Sequence, residues 1–474
     1  MLFASLTFLL GFLPIAIVGT ALAARFSGPR GAVAILTVAS FVFYGWYHPP
    51  YVLLLIDTIA LNFLLARSIY RTASKCLTVL AVTLNIALLA WFKYAGFLGN
   101  TVTTITGAEI DLPPIVLPLG ISFFTFQQIA YLVDVHRGNA KPGAILDYVF
   151  LISFFPQLIA GPIVHHRQLV PQLGQSRFAG FQQDDVAAGT LLFTIGLAKK
   201  VLIADSLAPG ADALFVAEGL GIDITMAEAW FGVLCYTFQI YFDFSGYSDM
   251  ALGLGLILGL QLPVNFRSPY KSANIIDFWR RWNITLSTFL RDYVYFALGG
   301  NRRGPIRRYA NLWIVMLLGG LWHGAGWQFV VWGGLHGFYL TVNHLWARHA
   351  SIRLPPVFSR VLTFVCVVTA WVFFRAGDIG QALTIVGALV DFGASNAHAI
   401  EIFDEIDTRL LVLILAASLA WFAPNALEIR ERVCDAPGPV HGRAITYQLG
   451  GMLAAAALIT IYVSGNHAFI YFQF

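Results

Sequence analysis

Two histidines are the side chains here best placed for acid–base chemistry, and the first lies at the end of an apolar run. His323 stands in Leu321-Trp322-His323-Gly324-Ala325-Gly326-Trp327. A helix from Asn311 to His323 rises roughly 18 Å, about half of a ~30 Å hydrocarbon core, so the imidazole is expected deep in a bilayer. An ionisable group at that depth is costly and marks a functional position. Gly319, Gly320, Gly324 and Gly326 surround it and let backbone or substrate approach the ring. The plainer alternative is a neutral core histidine; the polar stretch just upstream favours chemistry. His336 follows in Gly333-Gly334-Leu335-His336-Gly337. On one continuous helix it stands about 220° round and roughly 20 Å along from His323, so the two rings share a site only if the chain bends sharply at the glycines.

The polar stretch is Phe266–Arg308, FRSPYKSANIIDFWRRWNITLSTFLRDYVYFALGGNRRGPIRR. Its spacing predicts a helix over 274–298 with Trp279, Trp282, Leu286 and Phe289 on one side and Arg280, Arg281, Arg291 and Asp292 beside them. Arginines among aromatic residues suit the cytoplasmic headgroup boundary, where a phosphate-bearing soluble donor arrives. A third polar island, Tyr241-Phe242-Asp243-Phe244-Ser245-Gly246-Tyr247-Ser248-Asp249, places two carboxylates between apolar runs. They must be paired, solvated or protonated. Arg267, Arg280 or Arg281 is the expected partner, in a bracing role for Asp243 and Asp249.

Other chemistries lack their residues. Cys76, Cys235, Cys366 and Cys434 are scattered without C-x-x-C spacing, so no disulfide framework or cysteine metal site is expected. H-E-x-x-H is absent, and His165 and His166 are adjacent, poor geometry for joint ligation. No G-x-S-x-G elbow, G-x-G-x-x-G turn or P-loop occurs.

The elements that hold these residues must live in lipid. Hydrophobic residues make up 58% of 474 positions and charged ones 11%, against about 25% charged in a soluble domain. The fold class expected is an all-α polytopic membrane protein with about ten to thirteen transmembrane or re-entrant helices of roughly 20 apolar residues. One body covers 1–474, with N-terminal helices over 1–100, a core over 115–350 carrying the chemistry and C-terminal helices over 355–474. A net charge of +4, spread in short clusters, excludes nucleic acid as a partner and speaks for topology. The clusters Arg25–Arg30, Arg67–Lys75, Arg302–Arg308, Arg348–Arg360 and Arg430–Arg443 are expected on the cytoplasmic side, and the base-poor loops Glu109–Asp111, Asp205–Glu228 and Glu401–Asp407 opposite. Residues 1–24 carry no charge ahead of Arg25, which argues for a retained first helix over a secretory signal. Between about 117 and 260 Pro118, Gly120, Pro156, Gly161 and Pro162 interrupt the apolar runs; a cavity or re-entrant region is expected there, since broken backbone at membrane depth needs protein or water around it. Residues 382–393 read as a short interfacial helix.

In order along the chain, Phe43-Tyr44-Gly45-Trp46, Pro118-Leu119-Gly120-Ile121-Ser122-Phe123, Phe154–Pro162, Phe242–Asp249, Phe278-Trp279-Arg280-Arg281-Trp282-Asn283, Leu321-Trp322-His323-Gly324 and the terminal Tyr471-Phe472-Gln473-Phe474 resemble the membrane-bound O-acyltransferase superfamily. The nearest likeness is its bacterial branch typified by the membrane subunit of alginate O-acetylation, and it covers nearly the whole chain. The resemblance implies a ring of tilted helices around a thinned centre, with funnels from both faces meeting near the family histidine, His323. Its polar partner is then Asn283, forty positions earlier. Arg280, Arg281, Trp282, Trp322, His336, Asp243 and Asp249 become the surrounding positions that meet the donor or support these two. Also implied are a bacterial inner (cytoplasmic) membrane location, no bound cofactor or metal, acetyl-CoA or a similar acyl thioester as donor, a polysaccharide hydroxyl as acceptor, and a periplasmic serine esterase-like (SGNH-type) partner. Alginate, cellulose, peptidoglycan and teichoic acid all remain open as acceptors. The rival from another class is a transporter or flippase for a polysaccharide or acyl carrier, for which paired internal repeats are expected and none is visible.

Overall fold

The computed structural model describes residues 1–108, 110, 112–113, 115–350, 354–393, 406–435, 440–464 and 469–470. Glu109, Asp111, the 401–405 part of the second acidic loop, 351–353 of the fourth basic cluster and Tyr471–Phe474 lie outside them. Helices dominate, and among the described residues there is no strand. Two compact units are formed. One gathers Met1–Leu197, Tyr247–Val264 and the described residues from Arg430 onward; the other takes Ala198–Gly246 and Asn265–Ile429.

In the first unit the run Thr7–Gly45 is divided at Gly28, whose φ of 68° lies in the left-handed region ahead of Pro29. The break falls inside the basic turn expected at Arg25–Arg30. Pro50–Thr72 and Lys75–Thr106 follow as long apolar helices. Ser74 caps the second, its Oγ accepting from Leu77 N–H at 3.2 Å. Their outer and inner faces are inverted relative to a soluble protein: Leu61 and Leu64 are 48% and 62% exposed, whereas Asn62 is 2% exposed. Asn62 Nδ2 donates to Gln128 Oε1 at 2.6 Å, and Asn85 Nδ2 donates to Asn62 Oδ1 at 2.6 Å. Three helices are thereby joined through side-chain amides, the association that works where hydrophobic burial brings no gain because the solvent is itself apolar.

The interrupted stretch is packed in protein. Ser153–Val164 are all buried around the four-residue helix Phe155–Leu158. At Gly120, φ is 72° and a Cβ would stand 2.7 Å from the Leu158 carbonyl oxygen, so only glycine lets the two bends touch. The backbone here is irregular and protein surrounds it.

Five helices among the described residues are long and apolar enough to cross a bilayer alone, and a sixth span is formed if Arg409–Phe422 and Ala426–Cys434, bent by 65°, count together. The chain is thus a multi-pass membrane protein. One of the five, Gln183–Gly219, corrects the sequence reading of 205–228 as an outer loop, because Asp205–Gly219 is helical. The charge that suggested a loop is consumed locally. Lys199–Ala204 is a π-turn, and from it Lys200 Nζ reaches Asp205 Oδ1 at 2.6 Å and Asp243 Oδ1 at 2.7 Å.

The second unit carries the polar stretch. Arg375 Nη2 donates to Asp212 Oδ1 at 2.7 Å and Gln381 Nε2 to the Phe215 carbonyl at 2.9 Å, tying Pro356–Arg375 and Ile379–Ala388 to the Asp205–Gly219 helix. The latter bears out a short helix near 382, ending at Ala388 rather than 393.

The single helix expected over 274–298 is broken. Ile275–Arg281 ends, Trp282 is extended, Asn283 is left-handed at φ 41° and ψ 56°, and Ile284–Phe289 starts afresh before a π-turn at Leu290–Tyr295. The cause is the segment arriving from 264. Ile284 N–H donates to the Asn265 carbonyl at 3.0 Å, and Arg267 N–H donates to the Arg281 carbonyl at 3.0 Å, taking up backbone groups that a continuous helix needs. Asparagine tolerates the left-handed conformation better than other side chains, which is where the kink settles.

Candidate functional site

His323 is the last residue of the helix Gly304–His323. Gly324 and Gly326 are extended, and the chain returns as Trp327–His349, packed along its predecessor. The bend that a two-histidine arrangement requires is therefore present. What brings the helices together is glycine: a Cβ on Gly320 would stand 2.2 Å from the Phe329 carbonyl oxygen, and one on Gly333 2.4 Å from that of Met316. Gly333→Val is accordingly expected to force the hairpin open, costing about 1–3 kcal/mol or more and most of the activity. Gly334→Ala, whose Cβ would meet only side chains at ordinary contact distance, Trp313 at 3.8 Å and Leu317 at 3.9 Å, is expected to be tolerated. Thermal melting of the two purified variants separates them.

Between the hairpin and the broken polar stretch lies a cavity of about 550 Å³. His323 and Trp332 line it together with Trp279, and its polar wall is Arg280, Arg291, Arg308, Tyr295, Asn301 and His344. The His323 ring is 4% exposed and held edge-on by three aromatic groups: Trp322 at 4.8 Å, Phe374 at 5.0 Å and Trp332 at 5.1 Å between centroids. Arg308 Nη2 lies 2.9 Å from His344 Nδ1, and Tyr295 Oη donates to Asn301 Oδ1. A largely apolar chamber with three guanidinium groups and one buried imidazole can accept an anion-bearing substrate and move a proton inside.

The sequence-predicted positions separate into groups. Arg280 lines the cavity; Arg281 is engaged by Asp277 at 2.9 Å and is not among the lining residues. Trp282 is buried away from the lining, against Phe266, Phe278 and Trp371. Asn283, 2% exposed, adjoins the lining residue Ile284, and its Nδ2 has no acceptor among the described residues. Trp322 and His336 stand behind the wall, at 4.8 Å from the His323 ring and 4.7 Å from the Trp332 ring. Asp243 is 2% exposed and its partner is Lys200, which corrects the expected pairing with Arg267, Arg280 or Arg281. Asp249, 6% exposed, belongs to the other unit.

Spacing alone puts Arg291 beside the helix rather than in a cavity wall and makes Arg308 a topology signal, and it gives no reason to pick out Trp332 or Phe374. A signal existed for His344: it stands as far beyond Gly326 as Arg308 stands before it, the mirror position once a hairpin turns there.

Residues 138–377 match the membrane-bound O-acyltransferase family. The whole chain is 36% identical to a peptidoglycan O-acetyltransferase of Helicobacter pylori, covering 98% of that protein. It is 40% identical to a probable alginate O-acetylase of Pseudomonas aeruginosa over 96% of this chain and 90% of that one, and 36% identical to one of Pseudomonas putida over the full length of both. The chain belongs to the membrane-bound O-acyltransferase family. It is an enzyme, an O-acyltransferase working from within a membrane.

Proposed function

We propose that this O-acyltransferase moves an acetyl group from a cytoplasmic thioester, acetyl-CoA, to hydroxyls of an exported polysaccharide at the bacterial inner membrane, directly or through a periplasmic SGNH-type esterase-like partner. The observation that carries the reading is the cavity of about 550 Å³ lined by both His323 and the guanidinium-bearing Arg280, Arg291 and Arg308. The relatives named for alginate and for peptidoglycan O-acetylation support acetyl as the group and a polysaccharide as the acceptor.

In this reading the acceptor R–OH meets the thioester carbonyl beside His323. The imidazole takes the hydroxyl proton as the oxygen bonds to the carbonyl carbon. The tetrahedral oxyanion collapses, the carbon–sulfur bond breaks, and the thiolate leaves with the proton that His323 returns, giving R–O–acetyl and CoA–SH. Asn283 orients the histidine or steadies the oxyanion through its amide. Arg280, Arg291 and Arg308 hold donor phosphates.

The whole reading is tested with the full-length protein in proteoliposomes, with acetyl-CoA labelled in the acetyl group and alginate or peptidoglycan fragments as acceptor. Label on the acceptor supports it. Movement of polysaccharide across the bilayer with no acyl exchange would make the protein a transporter. Asn283 gives a second check. Asn283→Gly keeps the left-handed backbone at no steric cost while removing the amide; Asn283→Ala also strains the backbone by about 1–2 kcal/mol. Both are expected to lower transfer by about 10²-fold, the scale of one lost oxyanion donor. Full activity in the glycine variant alone would assign Asn283 to the kink and not to the reaction.

A further inference from the structure

His336 takes no part in the reaction as written, yet it is fully buried at 0% exposed and set in a cage of aromatic rings. Phe278 is stacked on it at 6.2 Å with planes 5° apart, and Trp332, Trp279 and Tyr339 meet it edge-on at 4.7, 5.0 and 5.9 Å. One polar contact breaks the apolar pattern: Trp279 Nε1 donates to His336 Nδ1 at 3.3 Å. An indole N–H can only donate, so Nδ1 must carry the lone pair and the ring proton sits on Nε2. A leucine or phenylalanine would fill the same space without asking a tryptophan to turn its N–H inward.

Trp279 and Trp332 both line the cavity; His336 does not. The two indoles touch each other at 5.8 Å, and the far side of Trp332 touches His323 at 5.1 Å. A ring behind the wall thus fixes the orientation of two large side chains that form it, one of which packs on His323. Arg280, next to Trp279 on the Ile275–Arg281 helix, lines the same cavity.

We propose that His336 is a positioning residue of the acyl-transfer site: through its Nδ1 acceptor it holds the Trp279 indole in the orientation that shapes the cavity wall between Arg280 and His323. This rests on the transferase reading above. Buried hydrogen bonds that orient a neighbour act at a distance from the chemistry, and a misplacement of about 1 Å at a reacting centre costs on the order of 10²-fold in rate.

The deciding comparison is between two replacements that split the ring from the acceptor. His336→Phe keeps an aromatic ring in the cage and loses the acceptor. His336→Asn loses the ring but keeps an oxygen near the Nδ1 position. Each is expressed as the full chain in the native host lacking its own copy, with Trp279→Phe and the Trp279→Phe/His336→Phe double variant. The readout is the rate at which labelled acetate enters base-labile esters of the exported polymer, normalised to membrane-inserted protein. His336→Asn is expected to retain at least about a third of the wild-type rate. His336→Phe and Trp279→Phe are each expected to fall about 10- to 100-fold, and the double variant to be no worse than the lower single, because both remove the same hydrogen bond. A residue that only packs gives the reverse order, with Phe near wild type and Asn poor, and that result overturns the proposal. Losses that multiply in the double variant also overturn it. If a His336 variant fails to accumulate, Trp279→Phe combined with His336→Asn, expected to match Trp279→Phe alone, keeps the test open to a negative answer. Absence of base-labile acetate with the wild-type chain defeats the transferase reading itself, a different outcome from either order of the variants.

Discussion

With His323 replaced by alanine, acyl transfer is expected to fall by about 10²–10⁴-fold, the range that a positioned proton acceptor contributes, while the protein still reaches the membrane in normal amount. The separation of activity from folding follows from where the ring sits. His323 is the terminal residue of its helix and is clasped by Trp322, Trp332 and Phe374, so truncation leaves space beside rings that pack well on one another, Trp332 and Phe374 being 5.3 Å apart. Removing a buried side chain of this size costs a few kcal/mol at most, and the hairpin beneath it is held by backbone contacts at Gly320 and Gly333. His323→Gln, which fills most of the space with a group that does not accept a proton near neutral pH, is expected to be equally inactive and more stable. The check is ester content of the exported polymer alongside the melting temperature of each purified variant. Unchanged acetylation by His323→Ala at normal protein level removes this histidine from the mechanism.

The largest stability effect is expected at Lys200, far from the cavity in sequence. Lys200 is 6% exposed, and its ammonium lies between Asp205 and Asp243, the latter 2% exposed. Lys200→Met keeps the length and the apolar stem but withdraws this ammonium from a buried carboxylate, Asp243, and a half-buried one, Asp205. Removing one partner of a buried ion pair costs about 3–5 kcal/mol, because the remaining charge has lost its compensation. That is a large share of the 5–15 kcal/mol that separates folded from unfolded protein, so Lys200→Met is expected to accumulate poorly. Adding Asp243→Asn to Lys200→Met is expected to recover much of the loss, since an amide brings its own donors and no charge. Recovery of monodisperse protein after detergent extraction reads both. Equal yield from Lys200→Met and wild type would show that the two carboxylates are otherwise satisfied. Lys200 lies in the π-turn at Lys199–Ala204, a geometry often met at specialised positions.

Much of this was legible in the residues. Sparse charge and long apolar runs required a helical membrane protein, because a backbone in lipid must bond within its own segment. The break at Gly28-Pro29, the bend at Gly324–Gly326 and the irregular stretch around Pro156 fall where glycine and proline stand, for those residues act on their own backbone whatever surrounds them. The ordered motifs around Trp279, Asn283 and His323 carried the family.

Partners across long sequence separations were not legible. Periodicity draws one helix through 274–298; a segment arriving from Asn265 takes up the backbone groups that would continue it past Asn283. Three arginines are plausible counter-ions for Asp243, and Lys200, from a π-turn far away in sequence, holds that place. Spacing leaves the place of His336 to a bend at the glycines, and the hairpin sets it behind Trp332 with Trp279 donating to it. The sequence by itself determined the solvent, the helical class and the enzyme family, since each depends on residue type and near-neighbour order. Tertiary structure alone decided which cation meets which carboxylate and which rings enclose His323, since those depend on distances between segments that local chemistry does not constrain.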